Sequence, residues 1–221
     1  MVEGHSVHRV AEDQRKKLVG KRLKAISPNK RFESEAKLIS GRKYEKIVPV
    51  GKNLFAFFEG GYVVHVHFGM SGRWSIFSKK KGVPEVKPTT RLVLENEEHV
   101  AHLSAMTVRL GDAKFFEEKR KKLGQDPLAA DSDVEDLFQR VSRSKKTISK
   151  LLMDQSFFAG VGNIYRAEIL FVSKTDPSLK GLEMSREQVI FLSLSLSLSL
   201  LQTPISIETD SLIVSGMHPF R

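Results

Sequence analysis

The chain of 221 residues contains no cysteine, which excludes disulfide bonds, thiolate zinc sites and cysteine nucleophiles. It also has no run of about 18 or more apolar residues, so we expect no transmembrane helix. The N-terminus lacks a signal-peptide pattern, because Glu3 and two histidines occupy the place of the apolar region. We therefore expect an intracellular protein, in the nucleus or an organelle of a eukaryote or in the cytoplasm or nucleoid of a bacterium.

The charge balance is strongly basic. Lysine and arginine number 36 against 26 acidic residues, which gives a net charge of +10 and an isoelectric point near 9.7. Such a balance favours binding to a polyanion, with nucleic acid first, although a merely basic surface explains it equally well. Apolar residues make up 40% of the chain, enough for the packed core of one large domain or two small ones.

The N-terminal half has the pattern of a β-rich domain. A helix is predicted over His5–Leu18 and ends at Gly20. Eight short β-type runs follow, and Gly60-Gly61 between two of them is a strong hairpin signal. The runs are Arg22–Ile26, Lys43–Val50, Leu54–Glu59, Tyr62–Phe68, Arg73–Phe77, Arg91–Glu95, His99–Leu103 and Thr107–Leu110. Many short strands at close spacing are typical of an antiparallel sandwich or barrel.

The composition changes after the last of these runs. Helical periodicity is found over Val134–Val141, Ile148–Gln155 and Ile164–Val172. The fold class predicted from both halves is α+β. We assign a β-rich domain to residues 1–120, a linker to 121–132 and a helical domain to 133–190.

The remaining segment, residues 191–221, includes a run of alternating leucine and serine over Leu192–Leu201. Alternation suggests a strand, but a two-letter repeat is also low-complexity sequence. A CT dinucleotide tract encodes such a repeat, so we hypothesise that this tail is translated repeat or intron. Sequencing the transcript across the junction tests this, because an intact spliced message would contradict it.

The first residues carry a possible nucleophile. Aminopeptidases remove Met1 when the next residue is small, and this exposes the α-amine of Val2. An α-amine has a pKa of about 7.7–8.0, so part of it is neutral near pH 7. A neutral amine forms Schiff bases, and Glu3 is placed to be its acid and base partner. The alternative is an ordinary frayed terminus.

A glycine turn between two amphipathic helices is the second candidate site. The turn contains Gly160, Gly162 and Asn163, and Lys150 lies in the preceding helix. Glycines let the backbone approach a phosphate closely, and a helix N-terminus attracts anions. Asn163 is suited to cap the second helix and to donate to a phosphate oxygen. The alternative is an ordinary helical hairpin with glycines at its turn.

Five segments, in order, resemble the Fpg/Nei family of DNA glycosylases (formamidopyrimidine-DNA glycosylase and endonuclease VIII). The start and the Val-His-Val-His segment look closest to the endonuclease VIII-like branch. The five segments are Met1–Arg9, Val50–Leu54, Val64–Gly72, Leu123–Leu128 and Leu151–Phe171.

The resemblance implies an antiparallel β-sandwich with a flanking helix, followed by a helix–two-turn–helix DNA-binding domain. It implies a bifunctional DNA glycosylase and AP lyase of base excision repair, acting as a monomer on damaged duplex DNA with an abasic or oxidised-base site. The Val2 amine would attack C1′ of the sugar, with Glu3 as proton carrier, and β-elimination would cut the strand. No cofactor, metal or membrane is implied.

The same resemblance assigns roles to further residues. Lys52 would hold a phosphate beside the lesion and belongs to the catalytic set with Val2 and Glu3. Met70 would fill the gap left by the flipped base, as apolar wedges do in kinked DNA. The neighbouring phosphate would be held by the turn and the helix before it, namely Lys150, Gly160, Gly162 and Asn163.

Three features depart from the family pattern. Val2 stands where the family usually has proline, and a primary amine still forms the imine. No pattern of the C-terminal zinc or zincless finger is seen, since cysteine is absent and Arg221 is isolated. The family has further residues that fill the gap left by the flipped base, and no position of this sequence is assigned to them. Arg109 is a candidate, but it fits a solvent-facing position on a strand better. Two alternatives therefore remain: a catalytically impaired DNA-binding relative truncated before its finger, and a helix–two-turn–helix binder without excision chemistry.

Overall fold

The computed structural model describes residues 2–129 and 133–202. Eight strands form two antiparallel sheets of four strands each, in the orders β1-β6-β7-β5 and β2-β3-β4-β8. The strands are β1 Lys24–Ile26, β2 Tyr44–Val50, β3 Asn53–Phe58, β4 Tyr62–His67, β5 Arg73–Ser78, β6 Leu92–Glu95, β7 His99–Ser104 and β8 Thr107–Gly111. All eight predicted strands are confirmed, and their ends lie within two residues of the prediction.

One continuous core joins both sheets to two helices, α1 (Gly4–Lys17) and α2 (Glu33–Ile39). The period of two in a strand is visible in β3, because Leu54 and Ala56 contribute to this core while Phe55 points to the opposite face. There Phe55 packs against a third helix, α3 (Ala113–Arg120). The sheet that contains β3 is therefore covered on both faces.

The helical half contains α4 (Val134–Val141), α5 (Ile148–Met153), α6 (Asn163–Val172) and α7 (Arg186–Gln202). The helices predicted for the first three are confirmed, whereas α2, α3 and α7 were not predicted. Side chains from all four helices share a second core, and the turn between α5 and α6 contributes to it.

The strand suggested by the leucine–serine run is wrong, because Leu192–Leu201 lies within α7. A helix turns about 100° per residue, so alternation distributes leucines around its whole circumference. Leu192 and Leu196 accordingly lie in the core, while Leu194 is 55% exposed. Ser197 Oγ donates to the Pro127 carbonyl over 2.7 Å, which ties α7 to the linker.

Helix α7 also runs across residue 190, where the sequence placed the end of the helical domain. Residues 203–221 lie outside the described residues, so the hypothesis about the origin of the tail stays a prediction. No helix in residues 2–129 and 133–202 has the length and apolar character needed to span a membrane.

Candidate active site

Three glycines from distant parts of the chain meet in main-chain contact. The Gly4 N–H donates to the Gly160 carbonyl over 3.0 Å. A Cβ added at Gly51, in the turn between β2 and β3, would lie 2.7 Å from the Gly160 nitrogen. Gly160 itself has a φ of +96°, which favours glycine. This glycine junction (Gly4, Gly51 and Gly160) brings the N-terminus, the β2–β3 hairpin and the α5–α6 turn together.

Glu3 is completely buried beside the start of α6. Its Oε1 accepts a hydrogen bond from the Ile164 N–H over 3.1 Å, where the positive end of the helix dipole favours a carboxylate. A Cβ on Gly162 would lie 2.6 Å from Glu3 Cδ, so only glycine leaves room for the carboxyl group. Within the part of the chain that the structure describes, Glu3 Oε2 is buried and has no hydrogen-bond partner.

This arrangement corrects the expectation that Asn163 caps α6. Gly162 is the N-cap residue, and Asn163 is the first residue of the helix, with an exposed side chain. No side chain of the cap position accepts from the first turn. The Glu3 carboxylate, 161 positions away in sequence, satisfies one N–H of this first turn instead.

Lys52 follows Gly51 in the hairpin and is half-buried. Burial lowers the pKa of its ammonium group, and the negative charge of Glu3 opposes this change. Burial also lowers the pKa of His67 on β4, with a further contribution from the Lys52 charge. Lys52 therefore lies within electrostatic reach of both Glu3 and His67.

Val2 lines a cavity of about 360 Å³, which we call the first cavity. This volume falls within the range of about 300–1,000 Å³ typical of small-molecule sites. The other lining residues come from α1 and from the segment around the start of β5, and they are Ser6, Arg9, Val10, Phe68 and residues 70–75. The residue whose amine is the predicted nucleophile thus adjoins a space that can receive a small group.

Met70 lies at the tip of the turn between β4 and β5. Gly69 has a φ of +70°, and the Gly72 N–H donates to the Phe68 carbonyl over 3.1 Å, so the chain reverses tightly. The turn leaves Met70 75% exposed, although Phe68 is buried. Met70 is therefore not a core residue, and its exposed apolar side chain is compatible with the predicted wedge.

The α5–α6 turn is braced by Gln155, which the sequence reasoning missed. Its Oε1 accepts from the Gly160 N–H over 3.0 Å, and its Nε2 donates to the Val161 carbonyl over 2.9 Å. Gly160 and Gly162 are buried, whereas Lys150 on α5 is exposed. A glutamine five residues before a glycine gives no specific local signal, since its role depends on how the chain folds back.

Asp126 in the linker was also missed as a site residue. It is 5% exposed, and its Oδ2 accepts from the Gly51 N–H over 2.7 Å. The same oxygen lies 2.9 Å from His8 Nε2 on α1. Its Oδ1 accepts from the Leu128 N–H over 3.0 Å. One buried carboxylate thereby fixes the hairpin, the first helix and the linker to one another.

Histidines near the N-terminus and on β4 contact neighbouring side chains of the protein. His65 Nε2 lies 2.9 Å from Asn53 Oδ1, and burial lowers its pKa to about 4. His5 packs edge-on against Tyr165. Among residues 2–129 and 133–202, no group of three or more His, Asp or Glu side chains is placed to hold a metal.

The fold and the site together indicate a class of two-lobed proteins. In this class the first residues of a β-sandwich contact a glycine turn between two helices. Residues 1–118 match the family model of the formamidopyrimidine-DNA glycosylase N-terminal domain. Residues 123–215 match the model of the formamidopyrimidine-DNA glycosylase H2TH domain. The chain therefore belongs to the formamidopyrimidine-DNA glycosylase and endonuclease 8 family.

Curated relatives agree with this family, and a solved structure shares the fold. Endonuclease 8 1 of Mycobacterium tuberculosis is 34% identical over 185 residues, which are 82% of this chain and 69% of the relative. Endonuclease 8 of Pectobacterium carotovorum is 28% identical over 229 residues, which are 99% and 84% of the two chains. Lactococcus lactis Fpg, in complex with DNA containing N7-benzyl-Fapy-dG, shares the fold with a TM-score of 0.79 at 22% identity, over 94% of this chain and 82% of that one.

Proposed function

We propose that the protein is a DNA glycosylase and AP lyase of base excision repair, which removes oxidised bases through an imine of the Val2 amine. One observation carries the proposal. Val2 adjoins the first cavity, and Glu3 beside it contacts the α5–α6 turn at the glycine junction that also includes the Lys52 hairpin. The names of the relatives and the abasic-site DNA bound to Lactococcus lactis Fpg support the same activity.

The chemistry follows from the two N-terminal residues. The Val2 nitrogen forms a bond to C1′ of the flipped nucleotide while the glycosidic bond breaks and the base leaves with its electron pair. Glu3 Oε2, the oxygen without a partner, protonates the ring oxygen as the sugar opens to the imine. The imine acidifies the C2′ proton, and its removal expels the 3′ phosphate by β-elimination.

The DNA strand would be held on both sides of the amine. Lys52 supplies a cation next to Glu3, where a phosphate beside the lesion would lie. On the other side, the exposed Asn163 and the exposed Lys150 offer donors to the next phosphate, and Gly160 and Gly162 shape the turn that presents them. Met70 supplies the exposed apolar wedge that fills the gap left in the base stack by the flipped nucleotide.

The lowered pKa of Lys52 predicts that KM depends on pH in a range where an ordinary lysine keeps its charge. Because burial lowers its pKa, the ammonium loses its charge at a lower pH than usual. We expect KM for an abasic-site duplex to rise with increasing pH in a range below the ordinary lysine pKa of about 10.4. Lys52→Arg, which stays charged over this range, should flatten the rise. A KM profile that is identical in both proteins would show that Lys52 holds no phosphate.

Borohydride trapping tests the proposed function directly. Incubating the protein with an abasic-site duplex and sodium borohydride should reduce the imine to a stable protein–DNA adduct, and peptide mass spectrometry should locate it at Val2. An undamaged duplex of the same sequence is the control. DNA binding without an adduct would contradict the proposal and support the catalytically impaired relative.

A further inference from the structure

The Glu3 carboxyl group is closed off from water. The residue is completely buried, and its Oε1 accepts from the Ile164 N–H over 3.1 Å. Its Oε2 is also buried and has no hydrogen-bond partner within the described residues. In the proposed reaction this carboxyl group moves protons, and a proton that stays on it after one turnover has no direct exit to water. A neighbouring group is therefore needed to carry such a proton to the surface.

The histidine two residues after Glu3 reaches both the interior and the surface. His5 is the second residue of α1 and is half-buried. Its Nδ1 is buried and, in the part of the chain that the structure describes, has no hydrogen-bond partner. A buried ring nitrogen without a partner is uncommon in proteins, and imidazole is the side chain best suited to accept and release protons near neutral pH.

Helix α6 holds both groups. The Ile164 N–H binds the Glu3 carboxylate, and the next residue, Tyr165, packs edge-on against the His5 ring with 5.2 Å between the ring centroids. Tyr165 is only 3% exposed, so it offers the ring a fixed wall. The carboxylate and the imidazole therefore rest on adjacent residues of one helix, and the charge of Glu3 acts on the ring.

The surroundings of His5 keep its ring neutral near pH 7. Burial lowers the pKa of His5 and the positive charge of Arg9 lowers it further, whereas the negative charge of Glu3 opposes both. Arg9 lies one turn further along α1, and Tyr165 faces the ring from α6. Neutral imidazole has one nitrogen that accepts a proton and another that donates one. The charge of Arg9 also favours release of the extra proton once the ring has accepted it.

We propose that His5 carries the C2′ proton from Glu3 to water after β-elimination and so resets Glu3 for the next turnover. The inference rests on the proposed function. When the Val2 nitrogen bonds to C1′, its surplus proton passes through Glu3 to the ring oxygen, which leaves a carboxylate. This carboxylate takes the C2′ proton while the C–H electrons form the double bond and the 3′ phosphate leaves with the electrons of its C–O bond. His5 accepts that proton, directly or through one water, and its other nitrogen releases one to the solvent.

The test separates the first turnover from the later ones. The substrate is a short abasic-site duplex whose cleaved strands dissociate, so that product release does not limit the rate. His5→Phe keeps a ring against Tyr165 but carries no proton. Its first turnover should stay within about twofold of wild type, because Glu3 is not yet loaded with the C2′ proton, while its steady-state rate should fall on the order of 10²-fold.

A matched control and a chemical rescue accompany this variant. His102 also packs edge-on against an aromatic ring, Phe77, at 5.2 Å, and burial alone lowers its pKa, so His102→Phe should leave both rates near wild type. His5→Ala leaves room for a free imidazole, and added imidazole should raise its steady-state rate about tenfold or more. The rescue should grow as the pH rises and more of the imidazole is neutral, and it should be absent in His5→Phe.

The outcomes separate a proton relay from a structural role. An equal loss in the first turnover and in the steady state would show that His5 only positions Glu3, and it would overturn the inference. A wild-type steady-state rate in His5→Phe, or no rescue of His5→Ala, would overturn it as well. Absence of a borohydride adduct with the wild-type protein would instead overturn the proposed function.

Discussion

A protein that keeps Met1 should form no borohydride-trapped adduct with an abasic-site duplex. Val2→Leu produces such a protein, because aminopeptidases do not remove methionine before a large residue. The free amine then moves one residue away from the first cavity that Val2 lines, and the Val2 nitrogen becomes an amide. We expect the rate of adduct formation to fall on the order of 10³-fold or more, as when an enzyme loses its nucleophile.

Val2→Ala is the matched control. Alanine is small, so Met1 is still removed, and the loss of two methyl groups from a half-buried side chain costs little. This variant should give adduct at close to the wild-type rate. Wild-type trapping by the Met1-retaining protein would place the nucleophile elsewhere, and Lys52, with its lowered pKa, would be the next amine to examine.

Gly162→Ala should remove most of the activity while leaving the fold intact. Its added Cβ would lie 2.6 Å from Glu3 Cδ and displace the carboxyl group from the α6 N-terminus. Only a side chain has to move, so the thermal midpoint should change little. Losing a positioned proton carrier should cost about 10²–10⁴-fold in base excision.

A double-mutant cycle shows whether Gly162→Ala loses activity because the alanine displaces Glu3. If the alanine acts by displacing Glu3, then Gly162→Ala combined with Glu3→Gln should be no slower than Glu3→Gln alone. Additive losses would show that the alanine acts on the turn itself, for example on phosphate binding. Circular dichroism melts of all three variants provide the check on folding.

Local patterns predicted much of the fold. The strands and α1 have the alternation or helical spacing of half-buried elements, and all were found. Helix α3 was missed because its charged residues hide Phe115 and Phe116, which face the outer side of the sheet. Helix α7 was missed because its leucine–serine alternation has the period of a strand, whereas packing against the other helices supplies most of the stability of a helix.

The site was predictable in its residues but less so in its contacts. The resemblance indicated Val2, Glu3, Lys52 and the glycine turn, and the structure brings Glu3, the turn and the Lys52 hairpin together. No local pattern links Glu3 to Ile164, because the interaction joins residues 161 positions apart. Asp126 gave only a turn signal beside Pro127, since its partners on α1 and the hairpin become adjacent only after folding.

The contacts at the glycine junction form late in the synthesis of the chain. The first residues leave the ribosome long before Gly160 and Ile164, their partners in the folded chain. A nascent sandwich can form while Glu3 still lacks its helix, and domains generally fold as units during synthesis. The Val2–Glu3 terminus is thus synthesised early but gains its contacts with the α5–α6 turn only late.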